Sequence, residues 1–258
     1  MICLSKNLTD RYINDFARGA NLDIYDPNSD YPSGPLLIRG LGKRDLIKSC
    51  WKDSRNFYYM DSGYFGNFKY KLNPQGYKNY HRIVKNDLQH TSIIDRPDDR
   101  WKELQQEIHP WRSTGEYILL VTPSEKPCKF YNIELESWIK NTIDDIKKYT
   151  DRPIKIRNKP SRNDRLQNTI FDDLDNAYAL VTYNSIAAVE AIQYGVPAFT
   201  YAPTAADPVC DKDISNIETP TKCDDATRYK WVCHLAYGQF HVREFLNGTA
   251  YEMLNEKR

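Results

Sequence analysis

Apolar runs alternate with stretches of helical periodicity between residues 116 and 200. The runs that predict strands are residues 116–122, 153–157, 177–182 and 197–200, and the stretches that predict helices are residues 132–149 and 185–194. In the first helix, the apolar positions that share one face are Leu135, Trp138, Ile139, Ile143 and Ile146. Strands that alternate with helices predict a parallel sheet covered by helices on both faces.

A second strand–helix–strand unit is predicted nearer the start of the chain. Residues 35–39 and 56–60 have the composition of strands, and a tight turn at Gly40-Leu41-Gly42 follows the first of them. The helix between them is indicated by one apolar face, formed by Leu46, Ile47, Cys50 and Trp51. Residues 64–85 are rich in tyrosine and fit a strand or a loop equally well.

These patterns divide the chain into two small α/β domains that we expect to face each other. Residues 96–115 contain two prolines and a Ser113-Thr114-Gly115 turn, and they are the candidate linker. We therefore expect one domain at residues 1–112 and a second at residues 113–237. Within the remaining segment, 238–258, residues 239–254 predict a helix that packs back across the domains.

Composition excludes several classes of protein. The chain has 258 residues, of which 36 are Lys or Arg and 35 are Asp or Glu, so it is neither a polycation nor an acidic tail protein. An aromatic fraction of 13% excludes a disordered chain. No run approaches the roughly 18 apolar residues that span a bilayer, and the N-terminus has no signal-peptide pattern. We expect a monomer in the cytoplasm, with no membrane partner.

The cysteines give no indication of a metal site. The six cysteines lie far apart, no CxxC pair occurs, and only Cys233-His234 places two possible ligands side by side. Free thiols are the expectation, with no structural metal.

Candidate phosphate ligands follow three of the predicted strands in the second domain. They are Ser124, then Lys159 and Arg162, then Asn184 and Ser185. Ligands of open α/β sheets bind beyond the carboxyl ends of the strands, where helix N-termini attract phosphate. Each residue also has a purely structural interpretation: Ser185 is a natural helix cap, and Lys159 alone could be a solvated surface lysine. The convergence of three strand ends favours phosphate binding.

The segment from Tyr183 to Phe199 carries a resemblance to a known family. Its Glu-x4-Gly-x-Pro pattern, with Glu190, Gly195 and Pro197, resembles the nucleotide-sugar-binding end of GT-B glycosyltransferases. Lys159-Pro160 together with Asn184-Ser185 resembles the paired motifs of bacterial capsule Kdo transferases and polysialyltransferases, which have histidine where this chain has Lys159. The resemblance covers roughly residues 116–254.

This resemblance implies two Rossmann-like domains that face a cleft and a nucleotide-sugar donor, with UDP-glucose as the first guess. Lys159, Asn184 and Ser185 would hold the phosphates, and Glu190 would lie near the ribose. The structural alternative for Glu190 is an exposed carboxylate in an ordinary helix. GT-B enzymes generally work without a bound metal, which implies that no cofactor is needed here.

A glycosyl transfer needs a base for the acceptor hydroxyl, and Asp61 is the candidate. Asp61 follows the predicted strand 56–60 and precedes Ser62-Gly63, so it should face the cleft. The alternative is an aspartate that begins a turn.

Charge is unevenly distributed and bears on the acceptor. Residues 39–85 contain eleven basic and three acidic residues, a net charge of +8 that leaves −7 for the rest of the chain. Interleaved aromatic residues could stack on exposed bases, or they could simply be core residues beneath a solvated basic face. The candidate acceptor-binding residues are Gly40, Gly42, Lys43, Lys69, Lys71 and Arg82.

A basic acceptor domain indicates an anionic acceptor. In size and charge the chain resembles bacteriophage DNA glycosyltransferases, which implies a hydroxylated DNA base as the acceptor. Two alternatives stay open. One is a capsule-type transferase with a saccharide acceptor, and the other is a non-catalytic nucleic-acid-binding protein that keeps a degenerate nucleotide fold.

Overall fold

The fold comprises two α/β units, seen in a computed structural model that describes residues 1–4, 10–26, 32–67, 79–159 and 169–256. Unit 1 consists of residues 1–88 and 236–258, and unit 2 consists of residues 89–235. The chain therefore builds most of unit 1, then all of unit 2, and returns to unit 1 at its end.

The described strands and helices alternate along much of the chain. The strands are β1 (Ile2–Leu4), β2 (Ile24–Tyr25), β3 (Leu36–Arg39), β4 (Phe57–Ser62), β5 (Tyr80–Lys85), β6 (Tyr117–Val121), β7 (Ile154–Arg157), β8 (Ala177–Thr182), β9 (Ala198–Thr200) and β10 (Gln239–His241). The α-helices are α1 (Arg11–Ala20), α2 (Arg44–Lys52), α3 (Asp99–Glu103), α4 (Glu125–Tyr131), α5 (Leu135–Ile146), α6 (Ile170–Leu174), α7 (Ala187–Gln193), α8 (Asp225–Tyr237), α9 (Val242–Leu246) and α10 (Thr249–Asn255).

Unit 1 contains a mixed sheet with the strand order β10-β5-β4-β3-β1-β2. The strands from β4 to β2 are parallel, whereas β5 and β10 pair antiparallel with their neighbours. Helices α1, α9 and α10 cover one face, where Ile13 and Phe16 of α1 are buried with Phe245 of α9. The ring of Phe16 meets that of Phe245 edge-on at 5.7 Å between centroids, a favourable aromatic geometry.

Unit 2 contains a parallel sheet with the strand order β7-β6-β8-β9. Ile118 and Leu120 of β6 and Ala179 and Val181 of β8 are buried and pack beneath α5. Leu119 and Leu180 on the opposite face are buried as well, and this two-sided burial explains why both strands are continuous apolar runs in the sequence, as is typical of parallel sheets. The predicted parallel sheet is therefore confirmed.

The division between the units lies earlier in the chain than the sequence indicated. Residues 89–112 belong to unit 2, whereas the predicted boundary was residue 112. His109 donates its backbone N–H to Gln193 O and Arg112 donates to Gly195 O, so this stretch is fastened to the end of α7 rather than serving as a free linker. The chain returns from unit 2 to unit 1 after Leu235, within α8.

The prediction of one helix at residues 239–254 is wrong. Gln239–His241 is strand β10, which pairs with β5, and the remainder forms two helices. Gly248, with φ +85° and ψ −10°, interrupts the helical geometry between α9 and α10. Both helices pack against α1 in unit 1.

The backbone conformation and the close surroundings of Gly195 require a glycine, which its place in the Glu-x4-Gly-x-Pro pattern did not reveal. Its φ is +81°, and a side chain there would overlap the carbonyl oxygen of Pro110. The residue therefore allows the chain to leave α7 in the left-handed region, and it lets residues 109–112 approach closely.

None of the described helices combines the length and apolar character that crossing a bilayer requires. All six cysteines lie in described ranges and are free thiols.

His234 is a buried titratable group in unit 2. It lies in α8 with 4% of its surface exposed, and its ring meets that of His90 at 5.3 Å between centroids. Nδ1 of His234 is buried and has no hydrogen-bond partner among the described residues. Burial, assisted by the positive charge of Arg96, lowers the pKa of His234 to about 4.

We predict that His234 makes the stability of the protein depend on pH. An unfolded histidine has a pKa of about 6.5, so between about pH 6.5 and 4 the unfolded chain binds a proton that the folded chain does not. The free energy of unfolding should fall as the pH falls through this range, by up to about 1.4 kcal/mol per pH unit from this group. Urea unfolding of wild type and His234→Phe at several pH values gives the free energy of unfolding of each protein. The difference between the two free energies measures the contribution of His234.

Because other groups titrate equally in both proteins, only the difference between the two proteins reports on His234. That difference should be constant above pH 7 and should change steadily below pH 6.5. If the free energies of unfolding of the two proteins ran parallel from pH 7 to 4.5, His234 would protonate in the folded state as easily as in the unfolded chain.

Candidate functional site

The carboxyl ends of the unit 2 strands lie in register along one edge of the sheet. Val121 of β6 is paired with Arg157 of β7 on one side and with Thr182 of β8 on the other, and Thr182 is paired with Thr200 of β9. The chain therefore leaves all four strands at the same level. Three neighbouring parallel strands span about 10 Å at this edge.

The strand order places a switch point at β6. The connection from β6 leads to β7 on one side, whereas the next strand, β8, lies on the other side of β6. Ligands of doubly wound sheets bind at such points, where the connections diverge. Ser124 follows β6, and Asn184 and Ser185 follow β8, so these predicted donor residues leave the sheet on either side of the switch point.

The two serines differ in how their hydroxyls are used. Ser185 Oγ accepts the backbone N–H of Ala187 at 3.2 Å, so the capping role considered from sequence is present at the start of α7. Ser124 precedes α4 and is half-buried, and its side chain makes no capping hydrogen bond.

Asn184 is held through its backbone by a residue that sequence reasoning missed. Gln89, 7% exposed, donates from Nε2 to Asn184 O at 2.9 Å. Its Oε1 accepts the N–H of Ala205 at 3.1 Å and the hydroxyl of Thr204 at 3.3 Å. One buried amide thus ties the loop after β8 to the loop after β9.

Two buried threonines also fix the edge. Thr182 Oγ1 donates to Val121 O at 2.9 Å, which joins β8 to β6 by a side chain as well as by the backbone. Thr122 Oγ1 donates to Asn158 Oδ1 at 2.8 Å, which joins the exits of β6 and β7. Asn158 is thereby held just before Lys159.

The basic residues of β7 are engaged with one aspartate, whereas Lys159 is exposed to solvent. Asp173 of α6 accepts from Lys155 Nζ at 2.7 Å and also forms an ion pair with Arg157. This hydrogen bond raises the pKa of Lys155. Lys159 lies two residues past β7 and is exposed. Arg162 lies outside the described residues.

Glu190 is buried, which corrects the alternative of an exposed helical carboxylate. It is 5% exposed in α7, all of whose residues are buried. The carboxylate therefore lies in the interior of unit 2.

A row of aromatic side chains lies beside this edge and was not recognised in the sequence. Tyr183 follows β8, Tyr201 follows β9, Tyr131 ends α4 and Trp138 is in α5. The ring-centroid distances are 5.3 Å for Tyr131–Tyr183, 6.2 Å for Trp138–Tyr183 and 6.3 Å for Trp138–Tyr201. Because two members come from single residues at strand ends, the row has no periodic sequence pattern.

Asp61 lies within β4 of unit 1, not after it as predicted. Its Oδ1 accepts the N–H of Ser62 at 2.8 Å, and its Oδ2 accepts the hydroxyl of Tyr59 at 2.9 Å. Arg82 Nη2, from the paired strand β5, is 3.6 Å from Oδ2. The Asp61 side chain is still 41% exposed, so the carboxylate is oriented by its neighbours and accessible to water.

Arg82, predicted to bind the acceptor, directs its donors into unit 1. Its side chain is 7% exposed, and in addition to the ion pair it donates from Nη1 to Ser62 O at 2.6 Å and from Nε to Leu88 O at 3.3 Å. This geometry is that of a residue that positions Asp61 and the end of β4.

The other predicted acceptor residues fall at the end of β3 or outside the described ranges. Gly40 has φ +71° and ψ 168°, a conformation that only glycine adopts readily, and a Cβ there would meet no atom within 4 Å among the described residues. Gly42 and Lys43 lie in the helical turn at Leu41–Lys43 that follows. Lys69 and Lys71 lie outside the described residues.

At least half of the described basic residues in segment 39–85 are engaged with groups of the protein. The eight described are Arg39, Lys43, Arg44, Lys48, Lys52, Arg55, Arg82 and Lys85. Arg39 forms an ion pair with the buried carboxylate of Asp10 at 3.3 Å, and Arg44 pairs with Asp45 at 3.2 Å. Arg55 donates to the carbonyls of Gly34 and Pro32. With Arg82, four cations serve the structure.

Within the described ranges, no group of three or more His, Cys, Asp or Glu side chains converges as a metal site would need.

Two solved structures share this fold over nearly the whole chain. Thermosulfurimonas dismutans KpsC, beta Kdo 2,7 transferase, matches with a TM-score of 0.56 and 11% identity, covering 100% of this chain and 99% of that one. Thermosulfurimonas dismutans KpsC, beta Kdo 2,4 transferase, matches with a TM-score of 0.56 and 9% identity, covering 96% and 97%. The expected fold class, with GT-B-like Rossmann-type α/β units, is confirmed. No protein-family model and no curated protein matches the sequence.

We predict that Arg82→Met destabilises the protein by about 2–3 kcal/mol, because the buried carbonyl of Leu88 and the partly buried carbonyl of Ser62 lose their donor. Asp61→Asn should cost less than about 1 kcal/mol, since the residue is partly exposed and its oxygen can still accept from Ser62. Urea unfolding measures both. An unchanged midpoint for Arg82→Met would mean that its donors do not support the fold.

Proposed function

We propose that the protein is a glycosyltransferase that moves a sugar from a nucleotide-sugar donor to a hydroxyl group of a saccharide acceptor. The observation that carries the proposal is the carboxyl edge of the unit 2 sheet. Three strands that end in register there lead to a hydroxyl, an amide and an exposed lysine. The fold shared with two Kdo transferases supports the same conclusion.

In this proposal the edge holds the donor's phosphates. Lys159 supplies a positive charge, and the hydroxyl of Ser124 and the amide of Asn184 supply hydrogen bonds. The Ser185 hydroxyl still has its proton to donate while its oxygen caps α7. Gln89 and Thr122 hold the two flanking loops, so the site is organised before the ligand arrives.

Asp61 is the proposed base. The carboxylate takes the proton of the acceptor hydroxyl as its oxygen forms a bond to the anomeric carbon, and the bond from that carbon to the nucleotide phosphate breaks. Lys159 stabilises the negative charge that remains on the departing nucleotide. In this scheme no metal takes part.

The choice of a saccharide acceptor differs from the leading expectation of the sequence. The relatives in fold are named as Kdo transferases, and at least half of the described basic residues in segment 39–85 already serve internal contacts. Both points favour the capsule-type alternative over a hydroxylated DNA base.

We predict that one class of nucleotide raises the melting temperature of the protein. The panel is CMP, UDP and GDP, each free and with its sugar, including UDP-glucose and CMP-linked Kdo. A ligand at 100 times its Kd adds about 2.7 kcal/mol to the free energy of unfolding, which is several degrees for a chain of this size. No shift with any member would contradict the donor assignment.

Lys159→Gln should weaken binding of the active nucleotide by about tenfold, because one charge-assisted contact to phosphate is lost. Lys230→Gln is the matched control, since Lys230 is an exposed lysine on α8 and follows no strand. If both variants bound the nucleotide with equal affinity, Lys159 would have no role in phosphate binding.

We predict that Asp61→Asn lowers the transfer rate at least about 100-fold, because the amide cannot accept the proton. The variant should keep the nucleotide-induced rise in melting temperature, since Asp61 has no role in donor binding. Product formation with an oligosaccharide acceptor and the active donor measures the rate. A variant with the wild-type rate would show that another group is the base.

Binding to duplex DNA distinguishes a saccharide acceptor from a hydroxylated DNA base. A saccharide enzyme should bind DNA weakly at 50 mM salt, whereas a DNA enzyme should bind tightly and lose affinity steeply by 200 mM salt. The second result, together with sugar transfer to hydroxylated DNA, would reverse our choice of acceptor.

A further inference from the structure

The aromatic row beside the candidate donor site has the features of a stacking surface. Tyr201 is 41% exposed, whereas the other three members of the row, Tyr131, Trp138 and Tyr183, are half-buried. Its position is nevertheless fixed, because its hydroxyl donates to Asp145 Oδ2 of α5 at 3.1 Å and its ring meets Trp138 at 6.3 Å between centroids, with the planes at 86°. A ring held by its hydroxyl and by a neighbouring ring loses little freedom when a base stacks on it.

The backbone places Tyr201 next to the proposed phosphate ligands. The carbonyl of Tyr183 accepts the N–H of Tyr201 at 3.0 Å and that of Ala202 at 2.9 Å. Tyr183 is bonded directly to Asn184, so one hydrogen bond separates Tyr201 from the start of the segment that carries Asn184 and Ser185.

The tyrosines are kept neutral, which suits a stacking role. Burial and the neighbouring carboxylate of Asp145 raise the pKa of Tyr201, and burial raises the pKa of Tyr183. Neither hydroxyl is therefore prepared for proton transfer at neutral pH.

We propose that the donor's base stacks on Tyr201, with Trp138 supporting that ring and Tyr183 supporting Trp138. This inference rests on the proposed function. A phosphate on the segment after β8 and a base on the ring after β9 occupy neighbouring strand exits. Stacking is tolerant of base identity and is worth about 1–3 kcal/mol per base, so the surface contributes affinity for any nucleoside.

Isothermal titration of the active nucleotide without its sugar tests this inference. Tyr201→Ala should raise the Kd by about 5- to 150-fold, whereas Tyr201→Phe, which keeps the ring, should remain within about threefold of wild type. Tyr149→Ala is the matched control, because Tyr149 is 44% exposed and lies outside the row. Circular dichroism and urea unfolding confirm that each variant is folded.

The outcomes separate this inference from the proposed function. If wild type binds no nucleotide, the proposed function fails. If wild type binds and Tyr201→Ala binds equally well, only the stacking role fails. A loss of affinity seen with the nucleotide sugar but not with the free nucleotide would place the sugar on Tyr201 and overturn the assignment to the base.

Discussion

The in-register pairing of the four unit 2 strands is the constraint on which the candidate site depends. Val121, Arg157, Thr182 and Thr200 end their strands at one level, so the following residues leave the sheet side by side. In a parallel sheet the backbone hydrogen bonds set this level, and a shift by one residue would turn every side chain of the strand to the opposite face. Residues from four loops can then act together.

Buried polar side chains convert this alignment into fixed loops. Gln89 joins the exits of β8 and β9, and Thr122 joins the exits of β6 and β7. In unit 1 the amide of Gln239 has the same role, because its Oε1 accepts the N–H groups of Tyr64 and Phe65 just after β4. Each satisfied buried group restrains a loop without occupying its exposed surface, which leaves that surface for a ligand.

The parts of the fold that the sequence predicted are those with a strong local signal. Strands β6 and β8 are continuous apolar runs and α5 has a clear apolar face, so each element could be recognised alone. The three strand exits with Ser124, Lys159 and Asn184 followed from the predicted strands β6, β7 and β8. By contrast, β1 and β10 have three residues each, and Gln239 lies in a segment whose helical periodicity conceals its pairing with β5. Gln89 and Tyr201 act through contacts distant in sequence, and no local pattern signals them.

The discontinuous composition of unit 1 affects the order in which the chain can fold during synthesis. Unit 2 is complete once residue 235 has left the ribosome, whereas β5 lacks its outer neighbour until β10 emerges near the end of the chain. Until then β5 presents an open strand edge, the kind of surface that pairs with other chains and promotes aggregation. Residues 236–256 therefore protect this edge as well as complete the core, and their loss would expose it permanently.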